Sequence, residues 1–406
     1  MRSWIDSATL VAGRRWSTAC AAAGAAIFGL CCLLVRGGPL DSAPYGDVHL
    51  YGLYGGHMTS GQIPYRDFFD EYPPLAQPLF AVVRWLPGTY AHAFRWTMVC
   101  FGAAALVLLV SALASIGATR LRIGVAVVAA GVAPLLVGPI FLNAFDLWPA
   151  FLTAGALLAF VRRHDRTAYV LLALAVAAKV YPVVLLPLAL IDTWDRGGRE
   201  SVRRVLIWFG GTLLAVNLPF ALAGPGGLRF SYWVQIKRGL EVESLPAAVL
   251  LVLDRLGLHH STLVASLSTN VAGSLASALA TLSSLVALAA ILFVAWLYYR
   301  RRGDLLVAAG AAVVGFVAFG KVFSPQYVDW LVPLVPAAGA AASAVLLVVL
   351  ALTRVVFDRF HAPGGPSGEH YKAALTWWVF ARDLLVVALY GLLVVRLWRR
   401  PNSNRA

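Results

Sequence analysis

Apolar runs long enough to cross a lipid bilayer recur along the whole chain, and this feature constrains the fold most. A transmembrane helix needs about 20 predominantly apolar residues, and runs of that size alternate with short polar segments from residue 18 to residue 397. The chain is 60% hydrophobic and only 13% charged, whereas a soluble globular chain is about a quarter charged. No long polar block remains to form a second, soluble domain. We therefore predict one all-α, polytopic membrane domain spanning residues 1–406.

The net charge of +14 comes from short basic patches that lie between the apolar runs. This spacing is typical of the positive-inside pattern, in which cytoplasmic loops carry the excess of Lys and Arg. Because no folded domain presents the patches, we exclude a nucleic-acid partner. The patches are Arg14-Arg15, Arg120 with Arg122, Arg162-Arg163, residues 196–204, residues 300–302 and residues 396–400.

Placing these patches in the cytoplasm orients about twelve helices, some of them short or broken, in a multi-pass plasma-membrane protein with both termini inside. A first external loop (36–91) contains an interfacial apolar stretch at 76–86, and a second external loop spans 224–270. The predicted helices are 18–35, 92–117, 121–138, 145–161, a short pair within 167–191, 205–223, 271–298, 304–319, two within 326–357 that meet near Pro336-Ala337, and 373–397.

The first apolar run has a second interpretation. Arg14-Arg15 followed by an apolar stretch also resembles a signal peptide, but the stretch is long enough to span and no clear cleavage site follows it. We favour a retained helix, and the following loop is exported in either case. The four cysteines all fall in apolar segments and predict small buried side chains rather than disulfides or metal ligands.

The segment 167–191 lies between two basic patches, so a single straight helix would leave the second patch on the wrong side. The sequence Lys179-Val180-Tyr181-Pro182 resolves this conflict, because proline removes a backbone donor and disfavours helix at the preceding residue. We predict two short helices with Lys179 and Tyr181 at an external turn. Irregular backbone at membrane depth is tolerated only where it is buried in protein or lines a cavity, which indicates a site here.

This orientation gathers polar side chains on the external face, and the two long loops indicate function because the other loops are short. Asp47, about a dozen residues after the first helix, is placed to abstract a proton; the alternative is a helix cap or a solvated loop residue. The residues predicted on this face are Asp47, His49, His57, Arg66, Asp67, Asp70, Glu71, Lys179, Lys237, Arg238, Glu241, Glu243, Lys321 and Gln326.

Lys179 lies in an apolar stretch with no acidic neighbour in the sequence. Intramembrane cations are costly and usually functional, and an anionic lipid phosphate would be a natural partner; the alternative is a lysine that snorkels to the interface. Lys321 has the same two interpretations. Tyr72-Pro73-Pro74 predicts a rigid turn, and Asp70-Glu71 either positions an acceptor hydroxyl or is solvated charge.

Four stretches in this order resemble glycosyltransferase family 87 of the GT-C superfamily, the polyprenol-phosphate-mannose-dependent mannosyltransferases. They are Asp47 to Tyr51 (DVHLY), Gly61 to Tyr65 (GQIPY) running into Tyr72 to Leu75 (YPPL), Lys179 to Pro182 (KVYP), and Phe323 to Tyr327 (FSPQY).

The resemblance implies a GT-C bundle that transfers a hexose, in particular mannose, from a polyprenyl-phosphate donor to a lipid or glycan acceptor outside the cytoplasm. It implies that Asp47 is the catalytic base and that Lys179 and Lys321 bind the donor phosphate. We add Arg238 as a third residue that binds this phosphate. Asp47 is followed by Val48 rather than a second acid, which argues against a metal, and we predict no cofactor. The substrate-binding candidates are His49, Asp70, Glu71, Tyr72, Tyr181, Glu243, Ser324, Gln326 and Tyr327.

A single displacement with one base predicts inversion at the anomeric carbon, with the leaving phosphate stabilised by cations. Three alternatives stay open at this point. A lipid-linked arabinofuranosyltransferase would use the same residue types. A transporter or flippase of a lipid-linked sugar would also use broken helices, although we see no repeated halves. A non-catalytic assembly protein would not require Asp47.

Overall fold

A computed structural model describes residues 2–37, 47–266, 268–301, 303–360 and 368–399. Parts of the predictions fall outside these ranges, namely residues 38–46 of the first loop together with Arg302 and Arg400 of the basic patches. Within the described ranges the chain forms sixteen α-helices, joined by turns of 3-10 helix, and three short strands.

The helices follow the apolar runs closely. In chain order they are α1 (Arg2–Gly37), α2 (Val48–Thr59), α3 (Gln77–Val83), α4 (Tyr90–Ser115), α5 (Arg120–Val137), α6 (Ile140–Asn143), α7 (Leu147–Val161), α8 (Asp165–Ala178), α9 (Leu186–Ala223), α10 (Pro225–Lys237), α11 (Leu245–Arg255), α12 (Ser274–Arg301), α13 (Leu305–Phe319), α14 (Val328–Leu331), α15 (Ala340–Phe360) and α16 (Gly368–Arg399).

Seven helical segments in the described ranges are long and apolar enough to cross a membrane, which confirms a polytopic all-α membrane protein. Shorter apolar helices include α7 and α13, and both are almost wholly buried at the centre of the bundle. A total of about twelve crossing segments is reached only if α8, the two halves of α9 and the irregular segment 325–338 are counted as well. The seven segments are Arg15–Arg36, Tyr90–Ser115, Arg120–Val137, Tyr181–Ala223, Ser274–Arg301, Ala340–Phe360 and Ala374–Arg399.

The predicted interruption at Lys179 is present. Helix α8 ends at Ala178, Lys179 is extended (φ −160°, ψ 135°), and a 3-10 turn over Tyr181–Leu185 leads into α9. The second arm extends to a bend at Gly198, whose φ is +58°, and the part of α9 after this bend, which runs to Ala223, corresponds to the helix predicted at 205–223. Glycine suits this bend since it adopts positive φ without a side-chain clash.

The prediction of two helices within 326–357 is wrong for the first of them. Residues 325–338 form a 3-10 turn, the single turn α14 and a second 3-10 turn, and only α15 is a long helix. Pro325, Pro333 and Pro336 explain the difference, because each removes a backbone donor that a continuous helix needs. The junction near Pro336-Ala337 does fall between the two segments, and the turn ends at Gly339 with φ +94°.

The second loop contains a small antiparallel sheet that the sequence interpretation missed. Its strands β1 (Leu240–Glu241), β2 (Thr262–Ser266) and β3 (Ser268–Ala272) have the order β1-β3-β2. The helix predicted to begin at residue 271 therefore begins at Ser274, after β3. The strand β1 also contacts the segment that contains Lys321, since the backbone N of Glu241 donates to the backbone O of Lys321 at 3.0 Å.

The two long loops pack against each other on one face of the bundle. Gln235 Nε2 donates to Glu71 O at 3.2 Å. A Cβ on Gly227 would lie 2.0 Å from Tyr65 O, so this approach of α10 to the first loop requires glycine. The two long loops are therefore in direct contact.

Candidate active site

Asp47 is half-buried at the start of α2, and its carboxylate is not used as a helix cap. Instead Asp47 Oδ2 accepts from the hydroxyl of Tyr51 at 3.3 Å and from the hydroxyl of Tyr72 at 3.4 Å. Burial raises the pKa of Tyr72 well above its usual value, so this hydroxyl stays protonated and donates. The carboxylate is therefore held in place by two donors while it retains acceptor capacity for a third.

Aromatic rings fill the space beside Asp47. The ring of Tyr72 lies 5.1 Å from that of Phe145, edge to face, and Tyr51 stacks on Phe80 at 4.6 Å. Phe145 also faces the next cation, with Lys179 Nζ 4.7 Å from its ring centre. A continuous aromatic layer thus joins the surroundings of Asp47 to those of Lys179.

Lys179 has an acidic partner, contrary to the expectation from its sequence neighbours. Its Nζ lies 2.6 Å from Asp146 Oδ1, and Trp330 Nε1 donates to the same oxygen at 2.6 Å. The Lys179 side chain is 17% exposed and that of Asp146 is fully buried. Because Asp146 is 33 positions away in the sequence, only the packing of α7 against α8 makes the pair.

Tyr181 and Tyr327, which belong to two of the predicted motifs, both stack on the ring of Trp330. Tyr181 stacks on Trp330 at 4.1 Å and Tyr327 lies 4.0 Å from it. The Tyr181 hydroxyl is within 3.2 Å of Thr153 Oγ1 inside the bundle. Tyr181 is buried and Tyr327 is half-buried, so Tyr327 is the more accessible ring for a ligand.

A second group of cations, which we call the loop cation cluster, consists of Lys237, Arg238 and Lys321. Lys321 Nζ donates to Ile236 O at 2.7 Å. Burial lowers the pKa of Lys321, and the charges of Arg238 and Lys237 lower it further. An anion placed among these side chains would relieve their mutual repulsion.

Two acidic side chains of the second loop form ion pairs, and one of them pairs with this cluster. Arg238 Nη2 lies 3.5 Å from Glu241 Oε1, which also accepts from Ser324 Oγ at 3.1 Å. Glu243 forms a 2.7 Å ion pair with Arg382 of α16. In the structure Ser324, Glu241 and Glu243 are therefore engaged within the protein.

Asp70 and Glu71, the two acids that precede Tyr72, lie in different environments. Asp70 is fully buried, and its Oδ1 accepts from Tyr72 N at 2.8 Å. Burial raises the pKa of Asp70 to about 7. Glu71 is half-buried; burial raises its pKa, and the positive charges of Arg238 and Lys179 oppose that rise.

Two further predicted residues lie at the surface of the site. His49 is exposed on the first turn of α2, and Gln326 is half-buried in the 3-10 turn that precedes α14. Their substrate-binding roles stay predictions. Within the described ranges, His, Cys, Asp and Glu side chains form no group of three that could hold a metal ion.

Sequence reasoning missed four residues of this region: Asp146, Asp329, Trp330 and Arg382. Asp329 is fully buried near Asp146 and Lys179, and neither of its carboxylate oxygens has a hydrogen-bond partner among the described residues. Arg382 and Asp329 could have been found from the sequence only as charged residues inside apolar segments, a position that indicates function. Their partners follow only from the fold.

Comparison with known proteins gives a family match and a similar solved structure. Glycosyltransferase family 87 matches residues 69–242, a range that contains Tyr72, Lys179 and Arg238 but neither Asp47 nor Lys321. A search of curated proteins gives no significant match. The solved structure of ArnT from Cupriavidus metallidurans bound to undecaprenyl phosphate is similar, with a TM-score of 0.50 and 14% identity over 94% of this chain and 76% of that one. The fold is thus that of the GT-C superfamily, and the chain resembles family 87.

Proposed function

We propose that this GT-C-like chain is an inverting glycosyltransferase that moves a hexose from a polyprenyl-phosphate donor to a lipid or glycan acceptor. The proposal includes mannose as the hexose and Asp47 as the general base. It also places the site outside the cytoplasm and both termini inside, because the basic patches lie at the helix ends opposite to Asp47.

One observation carries the proposal: a half-buried carboxylate, Lys179 and the loop cation cluster lie on the same side of the bundle. Asp47 is held by Tyr51 and Tyr72, and the aromatic layer leads from there to Lys179. Group transfer from a phosphate needs these two functions, a base for the incoming hydroxyl and positive charge for the leaving group.

The proposed reaction is a single displacement. The acceptor hydroxyl gives its proton to Asp47 while its oxygen forms a bond to the anomeric carbon. The bond between that carbon and the phosphate oxygen breaks on the opposite face, and the electron pair leaves with the polyprenyl phosphate. Lys179, Arg238 and Lys321 stabilise the charge that develops there, so a β-linked mannosyl phosphate yields an α-mannoside.

The donor class is supported from two sides. The similar ArnT structure is bound to undecaprenyl phosphate, and Lys179 and the loop cation cluster suit an anionic lipid phosphate. Mannose is supported by the resemblance to family 87. An arabinofuranosyl donor remains the competing choice, since the lining groups do not distinguish a furanose from a pyranose.

The test is sugar transfer in membranes, from radiolabelled polyprenyl-phosphate mannose to extracted envelope lipids. We expect Asp47→Asn to lower the transfer rate by about 10²- to 10⁴-fold, as for loss of a general base. Asp67→Asn is the matched control, because Asp67 lies in the same loop, is partly exposed, and has its carboxylate engaged by its neighbours Arg66 and Ile63 N.

Three outcomes would contradict parts of the proposal. Full activity of Asp47→Asn at normal protein level would assign the base to another residue, with Glu71 the next candidate. An α-linked product from an α-linked donor would exclude a single displacement. Export of the lipid-linked sugar without any transfer would favour a flippase.

A further inference from the structure

A cavity of about 630 Å³ lies at the end of the bundle opposite to Asp47. Its walls are the turn between α4 and α5, the ends of α7 and α12, and the starts of α13 and α15. Helix α7 spans the distance between the two sites, and its 15 residues at 1.5 Å each give a separation of about 22 Å. The cavity is therefore distinct from the candidate active site, and its volume lies in the range of ligand pockets.

Arginines dominate the charge of the lining. Arg122, Arg163 and Arg396 face two acids, Asp192 and Asp304. Both acids are already engaged: Asp304 accepts from Leu306 N and pairs with Arg122 at 2.6 Å, while Asp192 pairs with Arg163 at 2.9 Å and with Arg196 at 3.1 Å. Counted by residue, the three arginines of the lining exceed its two acids by one positive charge.

The backbone adds to this positive field. Three helices start at the cavity, since Thr119, Asp304 and Gly339 lie just before the first residues of α5, α13 and α15. A helix N-terminus carries a partial charge of roughly +0.5. The guanidinium of Arg396 lies against Gly339, with its Nη1 3.2 Å from the position that a Cβ would take.

The opposite wall is apolar and exposed at its rim. Ile116 and Leu121 line the cavity and are 38% and 78% exposed. Phe160 and Val161 continue the apolar wall inward. A ligand that fits such a site has an anionic end for the arginines and an apolar part for the rim.

We propose that this cavity binds the phosphate head group of an anionic phospholipid from the leaflet opposite to the catalytic face. Its phosphate oxygens accept from Arg163 and Arg396, and its glycerol and acyl part lies on Ile116 and Leu121. The site is independent of the proposed transferase chemistry, because it shares no lining residue with that site.

The test measures lipid binding by the purified, delipidated full-length protein in a neutral detergent. Native mass spectrometry gives the affinities for short-chain phosphatidylglycerol and for phosphatidylcholine with the same acyl chains. We expect phosphatidylglycerol to bind preferentially, and Arg163→Gln and Arg396→Gln each to weaken it about 10-fold, the loss of one charge-assisted hydrogen bond. Arg204→Gln is the control, an exposed arginine on the same side that does not line the cavity.

Each other outcome overturns the proposal. Equal affinity for the two lipids, or unchanged affinity in both cavity variants, would show that the arginines only orient the helices. Inorganic phosphate that displaces phosphatidylglycerol at a similar concentration would assign the cavity to a free anion instead of a lipid. Thermal unfolding of each variant, expected to match that of the wild type for the exposed Arg163, checks that the fold is intact.

Discussion

The two cationic parts of the candidate site differ in how their charge is balanced. Lys179 is in a buried ion pair with Asp146 and lies beside three aromatic rings. In the loop cation cluster, by contrast, neither Lys237 nor Lys321 forms an ion pair within the described ranges. Lys179 is thus held in position by its acidic partner, whereas the two lysines of the cluster carry charge that a donor phosphate would neutralise.

This difference separates two lysines that the sequence analysis placed together at the donor phosphate. The resemblance assigned Lys179 and Lys321 the same function, yet Lys179 lies in a buried ion pair with Asp146, while Lys321 forms no ion pair within the described ranges. Three predictions test the distinction.

The largest effect is expected at Lys179. Lys179→Met leaves Asp146 as an uncompensated buried charge, which typically costs about 3–5 kcal/mol of stability. Lys179→Met combined with Asp146→Asn should recover most of that loss, because Asn keeps an acceptor for Trp330 Nε1. Thermal unfolding in nanodiscs measures both; if the double variant is no more stable than the single one, the pair is not the origin of the effect.

A smaller and different effect is expected at Lys321. Lys321→Gln should raise the KM for the lipid-linked donor about 10-fold, as for one charge-assisted hydrogen bond, with little change in unfolding temperature. Lys237→Gln, at an exposed position, should raise it less because water screens that charge. An unchanged donor KM in both variants would remove the cluster from the donor site.

The smallest effect is a change in alkaline pH dependence. The pKa of Lys321 is lowered from its ordinary value of about 10.5, so its charge is lost at lower pH than that of a free lysine. The ratio kcat/KM, which reports the free enzyme, should therefore fall on the alkaline side before an ordinary lysine titrates. Lys321→Arg should move this fall to higher pH, and an identical profile in both proteins would assign it to another group.

Local sequence determined much of the fold. The spans, the interruption between Ala178 and Tyr181 and the position of the loop with Asp47 all follow from apolar run length and proline placement. The fold class and the resemblance to family 87 are confirmed by the structure and the comparisons. The roles of Asp47, Lys179 and Lys321 stay predictions that the geometry supports.

Other features could not be predicted from local signals. The sheet in the second loop depends on pairing between residues 240–241 and 270–271, and the segment 325–338 has enough apolar residues to resemble a helix despite its prolines. Arg382 is apparent as a charge in an apolar run, but its partner Glu243 is 139 positions away. Such pairs depend on which helices become neighbours.

The sequence by itself determined that this protein spans a membrane and carries its polar motifs in a fixed order along the chain, because hydropathy and proline act locally. Only the tertiary structure decided that Asp146 neutralises Lys179, that Tyr51 and Tyr72 hold Asp47, and that three arginines meet around a cavity on the far side. These contacts join residues from different helices, so they arise from helix packing and from the cost of burying a charge without a partner.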